Sequence, residues 1–287
     1  MNLFPLTNQN IWKNLWLNEL KNDPEKKEVD QPQKWDKRAP MFDKRSATPE
    51  AVARKQRILS MLKKAGALKA GSRVLDVGAG SGNWAISMAE MGADVVALEP
   101  SDGMVEIMRD KISAKGIGPD RIHIIQTTWQ DVDLEESGLA GQFDLVFASM
   151  NPGIRDPATL EKIMQASRNF CYLSTFSGGG WRNSYNDLWQ DITGQELKTK
   201  SWDIIYPFTY VYASGYRPQI DFNVWTNALK ETIDEAVENI LSFIQDMAEV
   251  TPEIRKKLRA HVAGKAVDGI FHQEQTVCQG AMLWQVG

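Results

Sequence analysis

Apolar residues along this 287-residue chain recur with two different periods, and their alternation lays out an α/β domain over residues 46–178. Short apolar runs at 74–77, 95–98, 122–126, 142–148 and 169–176 have the length and branched content of buried strands. Between them, apolar positions return at helical spacing: Trp84, Ile86, Met88 and Ala89, then Met104, Val105, Ile107 and Met108, then Leu160, Ile163 and Met164. Thr48, Pro49 and Glu50 open a further helix before the first strand, with Val52, Ile58, Leu59 and Leu62 as its buried stripe and Gly66 near its end. Strand alternating with helix predicts a parallel sheet wound with helices on both faces.

The flanks have another character. Residues 11–20 place Ile11, Trp12, Leu15, Trp16 and Leu20 on one helical face, and a polar, proline-punctuated link follows at 22–33. That helix is expected to be an appendage to the main domain or the contact of a homodimer. After Gly178, Gly179 and Gly180, which read as a joint, aromatics crowd the chain: Trp181, Tyr185, Trp189, Trp202, Tyr206, Phe208, Tyr210, Tyr212, Tyr216 and Trp225. They either pack as core or wall a pocket for a flat or cationic small molecule. A strand at 219–228, two amphipathic helices at 232–247 and 252–267, and a strand at 275–286 close the chain. The expected division is an N-terminal helical cap (1–45), an α/β core (46–178) and an aromatic-rich insertion with C-terminal strands and helices (179–287).

The chemistry concentrates in residues 73–100, RVLDVGAGSGNWAISMAEMGADVVALEP. Gly78, Gly80 and Gly82 break the first strand and let a ligand lie against bare main chain at the head of a helix. Glu99 ends the second strand about 20 residues on, where a carboxylate can accept hydrogen bonds from both hydroxyls of a ribose. A nucleoside is therefore expected. The spacing is neither the G-x-G-x-x-G of dinucleotide sites, since Asn83 stands at the third glycine, nor a phosphate loop, since no Gly-Lys pair follows. Asp76, two residues before the first glycine, would repel a pyrophosphate and suit a cationic amino-acid tail or sulfonium.

LDVGAGSG followed by ALEPS resembles the first motif and the strand-two acidic motif of class I S-adenosylmethionine-dependent methyltransferases. The resemblance implies a doubly wound, seven-stranded, mostly parallel Rossmann-like sheet with the last strand antiparallel between strands five and six. It implies S-adenosyl-L-methionine as cofactor, held by Asp76, Gly78, Ala79, Gly80, Gly82, Glu99, Pro100, Ser101, Met104, Thr128, Trp129, Ser149 and Met150. Trp129 would stack on the adenine or cover the sheet. KWDKRAPMFDK at 34–44 is similar to a segment that folds over the donor in small-molecule methyltransferases, so Trp35 and Phe42 touch the donor or pack in a helix pair. The acceptor would sit by the loop 149–156, SMNPGIRD, where Asn151-Pro152 partly matches the N-P-P-aromatic loop of amino-group methyltransferases. Gly153 and Ile154 depart from that pattern. The remaining expected pocket residues are Trp181, Tyr185, Tyr206 and Tyr210.

A formal net charge of −4 argues against neutralising duplex phosphates, so a small-molecule acceptor with an N, O or C nucleophile is favoured over nucleic acid. The alternatives are a macromolecular acceptor (tRNA or a protein amide) and a non-catalytic donor-binding protein. Cys171 and Cys278 read as small buried hydrophobes, and no spacing of Cys, His, Asp or Glu implies a metal. No basic leader and no apolar run long enough to span a membrane is present, so a soluble, cytoplasmic protein is expected.

Overall fold

The computed structural model describes residues 7–21, 32–178, 183–196, 203–245 and 249–287. Three helices come first: α1 (Gln9–Lys21), α2 (Pro32–Ser46) and α3 (Pro49–Lys64). Then β1 (Arg73–Val77), α4 (Asn83–Glu90), β2 (Asp94–Leu98), α5 (Asp102–Ala114), β3 (Ile122–Ile125), β4 (Phe143–Ser149), α6 (Pro157–Ala166) and β5 (Ser167–Ser177) alternate as the periodicity predicts. The chain continues through α7 (Asn183–Thr193), α8 (Ile205–Ala213), β6 (Gln219–Thr232), α9 (Ile233–Ile244), α10 (Pro252–Lys265) and β7 (Ile270–Gln285).

The strands form one seven-stranded sheet in the order β3-β2-β1-β4-β5-β7-β6. Strands β1 to β5 run parallel, and β7 lies antiparallel between β5 and β6. The connections go from β1 outward to β2 and β3, then back across to β4. A crevice therefore opens at the carboxyl ends of β1 and β4, the place where open α/β sheets bind ligands.

Each face of the sheet is buried. Val74, Leu145, Phe147 and Tyr172 pack under α3, α4 and α5, with the Phe147 and Tyr172 rings stacked at 4.4 Å. Leu75, Val77, Val146 and Leu173 pack on the opposite face with Trp129, Tyr210 and Trp16. The pleat explains the split, since alternate residues of each strand point to opposite faces.

Helix α1 docks within its own chain. Trp16 is 1% exposed and meets the Tyr210 ring edge-on at 6.1 Å, while Gln9 Nε2 donates to Tyr210 Oη at 2.6 Å and Tyr210 Oη donates to Glu161. The partner surface is supplied by α8 and α6. The glycine joint at 179–180, the link at 22–31, Trp181 and Trp202 lie outside the described residues.

The C-terminal strands are longer than the sequence pattern suggests. Strand β7 pairs with β5 only from Cys278 to Gln285, so its first eight residues pair with β6 alone and the hairpin overhangs the sheet by roughly 25 Å. That overhang has its own apolar cluster: Tyr185, Leu188 and Trp189 of α7, Val237, Ile240 and Leu241 of α9, Leu258 and Val262 of α10, and Phe271. No helix of the described residues is long and apolar enough to cross a membrane.

Candidate functional site

The crevice holds a cavity of about 280 Å³ walled by the glycine turn, the end of β2, the loop after β4, and α2 and α3. Its floor is set by the way β1 runs into the turn. Gly78 and Ala79 donate their N–H groups to the Leu98 carbonyl at 2.8 and 3.0 Å, so the ladder between β1 and β2 continues past the last strand residue. Gly80 then turns with φ +56° into open space, and its N–H donates to Glu99 Oε2 at 2.8 Å. Glu99 Oε1 accepts from the Ser101 N–H at 2.9 Å. Each carboxylate oxygen has thus spent one lone pair on the backbone and keeps a second.

Glu99 is 6% exposed, and burial pushes its carboxyl above the usual range. The Ser101 and Gly80 N–H groups pull it back, while Asp36 pushes it up again.

Gly78 answers a second constraint. A Cβ there would lie 2.6 Å from Asn151 Nδ2 and 2.7 Å from its Cγ, at φ +73°. Asn151 occupies this spot because its amide donates to the Val77 carbonyl at 2.9 Å, while its oxygen accepts from the Gly153 N–H at 2.8 Å. The side chain ties the loop after β4 to the end of β1. Its neighbour Met150 holds φ +55°, a conformation that side chains other than glycine seldom adopt. We expect Gly78→Ala to cost about 1–3 kcal/mol of stability and to weaken donor binding by displacing this strut. Thermal unfolding with and without S-adenosylhomocysteine measures both.

Helix α2 closes one side. Asp36 Oδ1 accepts from Ser101 Oγ at 2.6 Å and from the Gly103 N–H at 3.0 Å, fastening the lid to the head of α5. Asp43 accepts from Ser81 Oγ at 2.8 Å and pairs with Lys111, whose ammonium also donates to Asn83 Oδ1 at 2.9 Å and to the Ser81 carbonyl at 3.2 Å. Asn83 Nδ2 in turn donates to Ser46 Oγ at 2.7 Å. Lys111→Met should loosen this latch and weaken S-adenosylhomocysteine binding about three- to tenfold, read by calorimetry, with the unfolding midpoint nearly unchanged. Trp35 and Phe42, both on α2 and packed edge-on at 5.3 Å, line the cavity half-buried and belong to none of the core clusters, so they stand in the pocket wall rather than in the core of a helix pair.

Of the expected donor residues, Gly78, Ala79, Gly80, Glu99, Pro100, Met104, Thr128, Trp129, Ser149 and Met150 line the cavity. Three do not. Asp76 is 1% exposed and lies in β1 beneath the turn; Gly82 packs against Met108 and Ile86 as the cap of α4; Ser101 is wholly buried as the cap of α5. They shape the turn from below. Trp129 touches the cavity but is 2% exposed in the sheet's core, with its Nε1 donating to the Thr159 carbonyl at 3.0 Å, so covering the sheet is its main work.

The aromatic pocket expected of Tyr185, Tyr206 and Tyr210 does not form at this site. Tyr185 is buried against α9 and α10 and meets Gln275 Nε2 at 2.5 Å; Tyr210 and Tyr206 belong to the cluster beneath α1. The density of aromatics there supplies two cores. Asn151 lines the cavity, yet one amide hydrogen and one lone pair are committed to the chain itself.

Sequence reasoning missed Arg54, Lys55, Asn83 and Trp84 as cavity residues and Asp43 and Lys111 as the latch. Among the described residues no three His, Cys, Asp or Glu side chains converge as metal ligands.

A family model described as a methyltransferase domain matches residues 74–171. These residues are a methyltransferase domain. Over 114 residues the chain is 32% identical to a mitochondrial ribosomal RNA small subunit methyltransferase of Arabidopsis thaliana, covering 40% of this chain and 28% of that protein. A ubiquinone biosynthesis O-methyltransferase of Acinetobacter baylyi is 31% identical over 99 residues, 33% of this chain and 39% of that one. The matched part of the chain thus spans well under half of those relatives' length. The YcgJ protein of Bacillus subtilis has the same fold, with a TM-score of 0.51 at 15% identity, over 80% of this chain and 97% of that one.

Proposed function

We propose that this protein transfers the methyl group of S-adenosylmethionine to a small-molecule nucleophile. The observation that carries the reading is the placement of the Glu99 carboxylate in the cavity wall, pinned by the Gly80 and Ser101 N–H groups with a lone pair free on each oxygen. That arrangement fits a ribose. The donor residues of the methyltransferase domain would be Gly78, Ala79, Gly80, Glu99, Pro100, Met104 and Thr128, with Trp35 and Phe42 folding over them from α2.

When bound, S-adenosylmethionine supplies a methyl group already activated on a sulfonium. The chain's share of the work is then alignment and exclusion of water. Glu99 and the glycine turn fix one end of the site, the strut from Asn151 to the Val77 carbonyl fixes the loop beside it, and α2 shuts out solvent through Asp36 and Asp43. Among the described residues neither His nor Cys lines the cavity.

A macromolecular acceptor is the second reading, favoured by the match to the ribosomal RNA methyltransferase. Incubating the protein with methyl-labelled donor and a source-cell extract separates the two. Label should appear in the low-molecular-weight fraction; label confined to RNA or protein would replace the small-molecule reading with the second. Binding of S-adenosylhomocysteine without any transfer would leave a donor-binding protein.

A further inference from the structure

One cation in the cavity wall has no counter-ion. Arg54, on α3, lines the cavity with its guanidinium 4.3 Å from the centre of the Trp225 ring, and among the described residues it pairs with no carboxylate. Trp225 belongs to β6, the edge strand three positions beyond β4 and roughly 14 Å across the sheet from it. The indole face holds the guanidinium by cation–π contact, and with no carboxylate paired to it among the described residues its N–H fork is left to a bidentate oxyanion. The group is also held at a disadvantage: burial, then the neighbouring Arg57, lower its affinity for the proton. A bound anion would relieve both.

The donor has a cation of its own. Lys55 also lines the cavity, and its ammonium reaches the Asn83 carbonyl at the head of α4 at 3.5 Å, beside the glycine turn. Successive residues of a helix point about 100° apart, so the two cations of α3 serve different ends of the cavity. Lys55 faces the turn that takes the donor. Arg54 faces the strands on the other side of β4.

We infer that Arg54, seated on Trp225, binds a carboxylate or phosphate group of the methyl acceptor, at the end of that molecule remote from the methylated atom. This rests on the methyl-transfer reading above and deepens it: the acceptor is an anion, and its product keeps the charge.

The test starts from the wild-type protein, methyl-labelled S-adenosylmethionine and the low-molecular-weight fraction of a source-cell extract. The labelled product should be retained by an anion exchanger at neutral pH. Arg54→Gln should form it about 10- to 100-fold more slowly, and Arg54→Lys should recover part of that loss. Calorimetry with S-adenosylhomocysteine should give both variants the wild-type affinity within about twofold, which also establishes that they fold. A product that passes the column as a neutral molecule or a cation overturns the inference, as does Arg54→Gln labelling it at the wild-type rate. If Arg54→Gln instead loses affinity for S-adenosylhomocysteine while 5′-methylthioadenosine, which lacks the amino-acid tail, binds as before, the guanidinium belongs to the donor and the inference is wrong while methyl transfer stands. A wild-type protein that binds S-adenosylhomocysteine but labels nothing removes the methyl-transfer reading, and this inference with it.

Discussion

Replacing Glu99 by alanine should weaken S-adenosylhomocysteine binding about 100-fold or more. A hydrogen bond to a charged partner contributes about 1.5–3 kcal/mol, and a ribose presents two hydroxyls to this carboxylate, so the loss of both corresponds to at least two factors of ten. The substitution also strips the Gly80 N–H and the Ser101 N–H of their acceptor, loosening the glycine turn and the head of α5 together. Glutamine is no rescue here. Its amide offers a single oxygen, and its NH₂ would face one of those two backbone donors, so Glu99→Gln should lie near alanine rather than near the wild type. The same reasoning sets a pH dependence. Because burial holds the Glu99 carboxyl above the ordinary range, donor affinity should fall as the solution is acidified, starting at a higher pH than an exposed glutamate would dictate. Calorimetric titration of the three proteins at neutral and mildly acidic pH measures all of this, and unchanged affinity in Glu99→Ala would remove the residue from the donor site.

The glycine-turn side of the cavity was legible because its signals are local. The glycines, the strand-ending Glu99 and the capping Ser101 each act through backbone within a few residues, and those relations survive in the linear chain. The sheet core was legible for the same reason, since β1, β2 and β4 are short apolar runs with ordinary turns. Strands β6 and β7 were drawn too short. Their overhanging parts run through consecutive polar residues, Lys230 and Glu231 in one strand and His272, Gln273 and Glu274 in the other, which hide the strand period although one face is covered by α7, α9 and α10. The aromatic belt misled for a related reason. Tyr185 and Tyr210 are close in sequence but serve separate clusters, one under α9 and one under α1, and nothing in their spacing tells a pocket wall from two cores. The latch through Asp43 and Lys111 and the seat of Arg54 on Trp225 join residues far apart in sequence, beyond the reach of any local pattern.

Asp76 carries the largest effect on stability, and its sign follows from where its two oxygens lie. It sits in mid-sheet, level with Ala97 of β2 and Phe147 of β4, and is 1% exposed. One oxygen accepts from the Ala85 N–H; Oδ2 is buried with no partner. A carboxylate so placed has lost its water without gaining a counter-charge, and the nearby Glu99 adds repulsion, so its affinity for the proton is pushed up to about 8. The unfolded chain gives up this proton near the usual carboxylate range, whereas the folded chain keeps it until about pH 8. Its contribution to stability is therefore fully present below about pH 4 and is lost progressively as pH rises through about 8, a total on the order of 5 kcal/mol. Asparagine has no proton to lose. Urea unfolding at pH 5 and pH 8.5 should show the wild type weakening relative to Asp76→Asn by several kcal/mol, with the variant the more stable protein at the higher pH. Taking the difference between the two proteins cancels the other titrating groups, Glu99 among them. Parallel pH profiles would mean that Asp76 is ionised in the folded chain and that Oδ2 finds a partner when the protein is in solution.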